Sequence, residues 1–179
     1  MAAFTVIDHT ELGASASSWT KSSIASSYDH LYLVASMRSD RVNAEDQFHV
    51  RLNGSTDADD YSSTYLYAAE ATPDSTAATT GDFGSWKYGQ APGTSALADT
   101  FAAWTLWIPN YANTANYKQF LTATALEGAS TTAYYYADIM RADLWSSPAA
   151  IDEIQLLSAV GSSNFVADSV FDLYGLTGV

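Results

Sequence analysis

Apolar and polar residues alternate with a period of two along most of the chain, and no stretch sustains the 3.6-residue period of an amphipathic helix. The clearest case is Gln47-Phe48-His49-Val50-Arg51-Leu52-Asn53. Phe48, Val50 and Leu52 fall on one side and Gln47, His49 and Arg51 on the other, as in a strand with one face in a core and one in solvent. Upstream, Leu31, Leu33, Ala35 and Met37 alternate with Tyr32, Val34, Ser36 and Arg38, so a strand facing it precedes the polar stretch Ser39 to Asp46. Asn53-Gly54 then supplies a turn, because Gly accepts a positive φ and Asn tolerates one.

The same reading predicts strands near residues 4–12, 63–69, 101–108, 117–126, 133–142, 151–159 and 168–176. Ala123 to Leu126 has some helical propensity, but the Thr interleaved with its alanines fits a strand better. About nine short strands without the intervening helices of a parallel sheet predict an all-β, antiparallel, jelly-roll-like β-sandwich. A single domain spans residues 1–179, with Leu31, Leu33, Phe48, Val50 and Leu52 in one core.

Residues 71–99 break the pattern: Ala, Thr, Ser and Gly predominate, with Pro73, Gly81, Gly84, Gly89, Pro92 and Gly93 spread through them. The expectation is a long loop, and loops of this length inside a compact domain tend to carry function or to be disordered. Phe83, Trp86 and Tyr88 weigh against disorder, because exposed rings find something to pack on. Two destinations are open, the loop's own sandwich or a partner, and the second makes these three residues candidate partner-binding residues.

Composition narrows the function classes. Seven Lys and Arg against 20 Asp and Glu give a net charge of −13, and the cations are scattered, so no phosphate-binding surface and no nucleic-acid partner is expected. No membrane span and no signal-peptide pattern is expected either. Without cysteine there is no disulfide framework, thiolate metal site or cysteine nucleophile.

Hydrolase elbows, phosphate-binding loops, dinucleotide fingerprints and His-Glu-x-x-His are absent. His9, His30 and His49 fall on separate predicted strands, and His49 reads as a solvated or hydrogen-bonded side chain on the polar face of its strand. Asp57-Ala58-Asp59-Asp60 is a dense acidic cluster that a hard cation would relieve, but it lacks the glycine and distal glutamate of an EF-hand loop and reads as a solvated turn. No catalytic, cofactor-binding or metal residue is assigned. Twelve tyrosines are the compositional oddity. In a strand through Tyr134-Tyr135-Tyr136, the middle ring opposes the other two, so some ring leaves the core and Tyr134 and Tyr136 join the candidate partner-binding residues.

An ordered series of motifs resembles a family of small virion structural proteins of tailed bacteriophages. Tyr28-Asp29-His30-Leu31 opens a strand ending in Arg38-Ser39, and a phenylalanine-bearing strand reaches Asn53-Gly54 and Tyr61-Ser62. Ile108-Pro109-Asn110-Tyr111-Ala112-Asn113 follows, then Trp145, Ala150-Ile151 and Ile154, and the close runs from Asn164-Phe165 through Ser169 to Leu173-Tyr174-Gly175. The loop at 71–99 and the segment before Tyr28 match poorly. The resemblance implies a jelly-roll sandwich, made in the host cytoplasm and carried on the particle surface, and not an enzyme. Its position would be that of a capsid decoration protein on the major capsid protein, or of a glycan- or host-binding tail or fibre component. Repeated placement on a symmetric shell implies a homo-oligomer, with a trimer favoured.

Overall fold

The computed structural model describes residues 3–69, 72–78, 89–129, 134–158 and 161–178. These residues form β1 (Ala3–Glu11), β2 (Ser18–Lys21), β3 (His30–Met37), β4 (Glu45–Leu52), β5 (Tyr61–Ala69), β6 (Thr72–Ala78), β7 (Gly89–Pro92), β8 (Ala102–Pro109), β9 (Lys118–Ala129), β10 (Tyr134–Trp145), β11 (Ile154–Ser158) and β12 (Val170–Thr177), with a one-turn 3₁₀ helix at Ala58–Asp60. One sheet has the order β1-β12-β3-β8-β9-β10-β5-β6 and the other β2-β11-β4-β7. Their ladders are antiparallel throughout.

With β5, β6, β9 and β10 set aside, the strand orders become β1-β12-β3-β8 and β2-β11-β4-β7. That is the double Greek key of a jelly roll. The remaining four strands are two inserted hairpins, β5–β6 between β4 and β7, and β9–β10 between β8 and β11. They pair with each other through β5 and β10, so both insertions extend the same sheet.

The core lies chiefly where β1, β12, β3 and β8 of the larger sheet face the smaller one, and Tyr61, Phe120 and Trp145 of the inserted strands join it. Leu31, Leu33, Phe48, Val50 and Leu52 all belong to it, β3 contributing from one sheet and β4 from the other. Aromatic contacts cross the sandwich: Trp19 stacks on Phe171 at 5.4 Å, Phe171 meets Phe165 edge-on at 5.4 Å, and Phe48 meets Trp104 edge-on at 5.3 Å. Rings of this size dominate core energetics through buried area.

The predicted Asn53-Gly54 turn forms with φ of 51° and 66°. The Asn53 side chain accepts the N–H groups of Asp152 and Glu153 and donates to the Ala150 carbonyl, fastening β11's approach to the end of β4. Gly175 is required by close approach, since a Cβ there would lie 2.3 Å from the Tyr28 ring. Tyr111 donates its hydroxyl to the Ala25 carbonyl. At the other end of the sandwich, buried Asp46 accepts from the hydroxyls of Ser39, Ser158 and Ser163.

Residues 71–99 differ from the long loop expected. β6 and β7 both lie within them, at a sheet edge in each case, and the Arg38 guanidinium donates to the carbonyls of Gly93, Leu97 and Thr100 to hold the turns that follow. Edge strands tolerate Pro73 and Pro92 because one row of their backbone groups needs no ladder partner. Of the two readings of His49, solvated or hydrogen-bonded, burial removes the first: it sits on the outward side of β4 yet is buried.

Candidate interaction surface

The outward face of the eight-stranded sheet is unusually apolar. Phe4, Val6, Leu66, Trp107, Leu121 and Met140 all lie on it, six of the nine large hydrophobic side chains exposed among the described residues. Register aligns them across the strands: Val6 pairs with Tyr174, Tyr174 with Tyr32, Tyr32 with Trp107, Trp107 with Leu121, and Leu121 with Ala142. Met140 and Leu66 pair in the neighbouring row. Such contiguous apolar area marks interaction surfaces more often than idle ones.

The face has two parts. On the jelly-roll strands it is a ridge, in which Phe4 meets the Tyr32 ring edge-on at 6.3 Å and the Tyr174 ring at 6.1 Å. Beside the ridge, His9 Nδ1 lies 2.6 Å from Asp172 Oδ1, and that bond raises the imidazole pKa above its ordinary value. Where the insertions join the jelly roll the face sinks into a groove of 530 Å³, lined by side chains of β8, β9, β10 and β5. Trp107 and Leu121 stand along one side, Ala142 and Leu144 lie in the middle, and Ser62, Thr64 and Gln119 supply its polar groups. Trp107 is held edge-on by His30 at 6.1 Å, and His30 Nδ1 in turn accepts the Asn110 N–H.

Behind the groove, on the opposite face of the same strands, is a buried polar cluster. Arg141 Nε lies 3.3 Å from Asp143 Oδ1, Thr122 donates to Asp143 Oδ2, and the Arg141 guanidinium also donates to Ser63 and covers the Tyr65 ring at 5.1 Å. Burial pushes the Asp143 carboxyl up to about 7, with Arg141 opposing that shift. Although Asp143 borders the groove, its side chain has no exposure, so the carboxylate does not face a ligand there. Lys118, also buried, donates to the carbonyls of Asn116 and Pro148, and desolvation lowers its pKa. These groups hold strands together.

Of the candidate partner-binding residues, Phe83, Trp86 and Tyr88 lie outside the described residues. Tyr134 and Tyr136 fall in β10 opposite Ala129 and Glu127, and their side chains are likewise outside the description. The acidic cluster caps its own turn: Asp57 accepts the Asp59 N–H, and Asp60 accepts the Ser55 hydroxyl. Among the described residues no group of three or more His, Cys, Asp or Glu could hold a metal ion. Trp107 and Leu121 escaped the sequence reading, though Leu106-Trp107-Ile108 interrupts an alternating strand with three apolar residues and so must send one outward.

Compared with known proteins, the chain matches no family model, no curated protein and no solved structure.

Proposed function

We propose that the chain is a bacteriophage virion structural protein, a capsid decoration protein that binds and stabilises the outer shell. The observation that carries this reading is the apolar outward face, with Phe4 at 64% and Val6 at 61% exposure on a sheet that needs neither for its core. Burying such side chains against a neighbouring subunit contributes about 25 cal/mol per Å², repeated at every copy on a shell. The ordered motif series supports the same reading and joins the jelly roll to a particle-borne role. Self-association, as a trimer around a symmetry axis of the shell, belongs to the proposal.

Mass spectrometry and labelled imaging of purified particles test it. The chain should be present in many copies on the outer surface, and its absence from intact particles overturns the reading. Val6→Glu, which places a charge on the ridge and leaves the core untouched, should weaken particle binding at least about tenfold while melting stays unchanged. Trp86→Ala addresses the segment outside the described residues. Loss of particle binding with unchanged melting assigns Trp86 to the anchor, whereas a lowered melting temperature with intact binding assigns it to the chain's own packing.

A further inference from the structure

We propose that the groove over Ala142 on the outward sheet face binds an uncharged saccharide, stacked on Trp107 and bonded through Gln119, Ser62 and Thr64. The inference goes beyond the particle-bound reading and takes the ridge of Phe4 and Val6, not the groove, as the particle contact. Four strands build the groove with side chains in register. Trp107, Leu121, Ala142 and Thr64 form one row, and Gln119, Leu144 and Ser62 the next. The small Ala142 between Leu121 and Thr64 leaves the floor low, while Trp107 rises at the side with 42% exposure. Its volume, 530 Å³, lies inside the roughly 300–1,000 Å³ range of small-molecule sites.

Charge decides the ligand class. Among the described residues, no Lys or Arg lines the groove, and its one carboxylate belongs to the unexposed Asp143. A phosphate or carboxylate ligand would therefore meet no counter-charge on a chain of net charge −13, and a cationic ligand would meet no accessible carboxylate. Uncharged amide and hydroxyl groups beside an exposed indole match a molecule with an apolar C–H face and hydroxyl edges, which a neutral pyranose ring has.

Shape and hydrogen bonding separate this occupant from the others. A second copy docking its own ridge there would set Phe4 and Val6 against Gln119, Ser62 and Thr64 and leave their amide and hydroxyl groups without partners. A peptide would bring a row of backbone N–H and C=O groups onto a sheet face whose own backbone is already paired, leaving three side chains to satisfy them. Trp107 is also preorganised, because His30 packs on its edge and is itself fixed by the Asn110 N–H, so little ordering cost remains on binding.

The test uses the full chain and neutral tetrasaccharides of α-glucose, β-glucose, mannose and N-acetylglucosamine, read by tryptophan fluorescence and saturation-transfer NMR, with a sulfated glycan as the charged control. At least one neutral member should bind with millimolar or tighter affinity, and the charged control should not. Trp107→Ala should weaken binding at least about tenfold with melting unchanged. Ala142→Leu, which fills the floor and leaves Trp107 in place, should abolish it, and keeps the test decisive if the tryptophan variant is destabilised. The proposal is overturned if no neutral member binds at roughly 10 mM, if only the charged glycan binds, or if binding survives both variants. Protection of Trp107 from fluorescence quenching that appears only with a self-associated form seen in sedimentation overturns it as well.

Discussion

The jelly-roll strands and the inserted strands share one sheet and one alternating pattern, yet they are held by different forces. Across the jelly roll, a second sheet supplies Trp19 and Phe48 to meet Phe171 and Trp104, with Leu33 and Leu52 in the same core, so the interior is apolar and close-packed. The second sheet ends at β7, which packs against β8 and β9. Beyond that point the same inward positions of β9 and β10 carry Thr122, Thr124, Arg141 and Asp143 among Phe120, Leu126 and Ile139. Where two sheets face, dispersion and apolar burial hold the structure. Where one sheet runs on, buried polar bonds fix which strand lies beside which. A buried ion pair of this kind adds little net stability over an apolar pair, but losing one partner leaves an uncompensated charge.

The sharpest way to break the contrast is to put a charge into each region. Val50→Asp places an unpaired carboxylate between the sheets, where residue 50 has no exposure, and should unfold the whole chain. Its cost of several kcal/mol is comparable to a total stability of about 5–15 kcal/mol, and wild-type melting by this variant would refute the contrast. Asp143→Ala strands the Arg141 guanidinium and should cost about 3–5 kcal/mol. Hydrogen exchange should show β5, β9 and β10 losing protection before β3 and β12, while simultaneous loss would mean that the two regions melt as one unit. Joining Asp143→Leu with Arg141→Met should restore most of the stability, because an apolar pair of similar volume costs no desolvation.

Acidity offers a gentler probe of the same cluster. The folded-state pKa of Asp143, about 7, lies above its ordinary 3.8, so between those values the folded chain binds more protons than the unfolded one. This group's contribution to stability is therefore greatest below about pH 4 and falls as pH rises through 7. Asp143→Asn should flatten that part of the stability profile in denaturant melts between pH 4 and 8, and an unchanged slope would refute the assignment. The smallest effect belongs to the ridge. His9 has a raised pKa, so its bond to Asp172 contributes below the unfolded value near 6.5 and is lost as pH climbs through the folded value. Asp172→Asn should bring the NMR titration of His9 back toward the ordinary range with no measurable change in melting, since the imidazole is exposed.

Legibility in the sequence followed strand position. Strands packed on both sides by neighbours, such as β3, β4, β8 and β12, carry two to four inward apolar residues at alternate positions and were readable from alternation alone. The three strands that went unread, β2, β6 and β7, are all sheet edges. Ser18–Lys21 is too short to show a period, and Thr72–Ala78 and Gly89–Pro92 carry proline, alanine and glycine that propensity assigns to loops. The outward face was harder still. An exposed Trp107 and a buried Trp104 look alike until the facing sheet is known, and the groove arises from the register of strands over 70 residues apart, as in Ala142 opposite Thr64. The motif residues Tyr28, Asn53, Tyr111 and Gly175 proved to be fasteners of the fold, which explains why they signal architecture more sharply than activity.

The pairing of β5 with β10 also fixes an order of events in time. Each inserted hairpin can close locally, but the ladder from Tyr61–Trp145 to Ala69–Ala137 forms only when two segments distant in sequence meet in correct register. A search of that kind is slow, because the entropy of closing the intervening chain is lost before any contact compensates for it. Until it ends, β5 and β10 each present an unsatisfied edge to solvent and to other nascent chains. The two insertions therefore act as a kinetic unit: removing one hairpin would leave the other's edge permanently open and prone to aggregate, whereas removing both together would return the chain to an eight-stranded jelly roll.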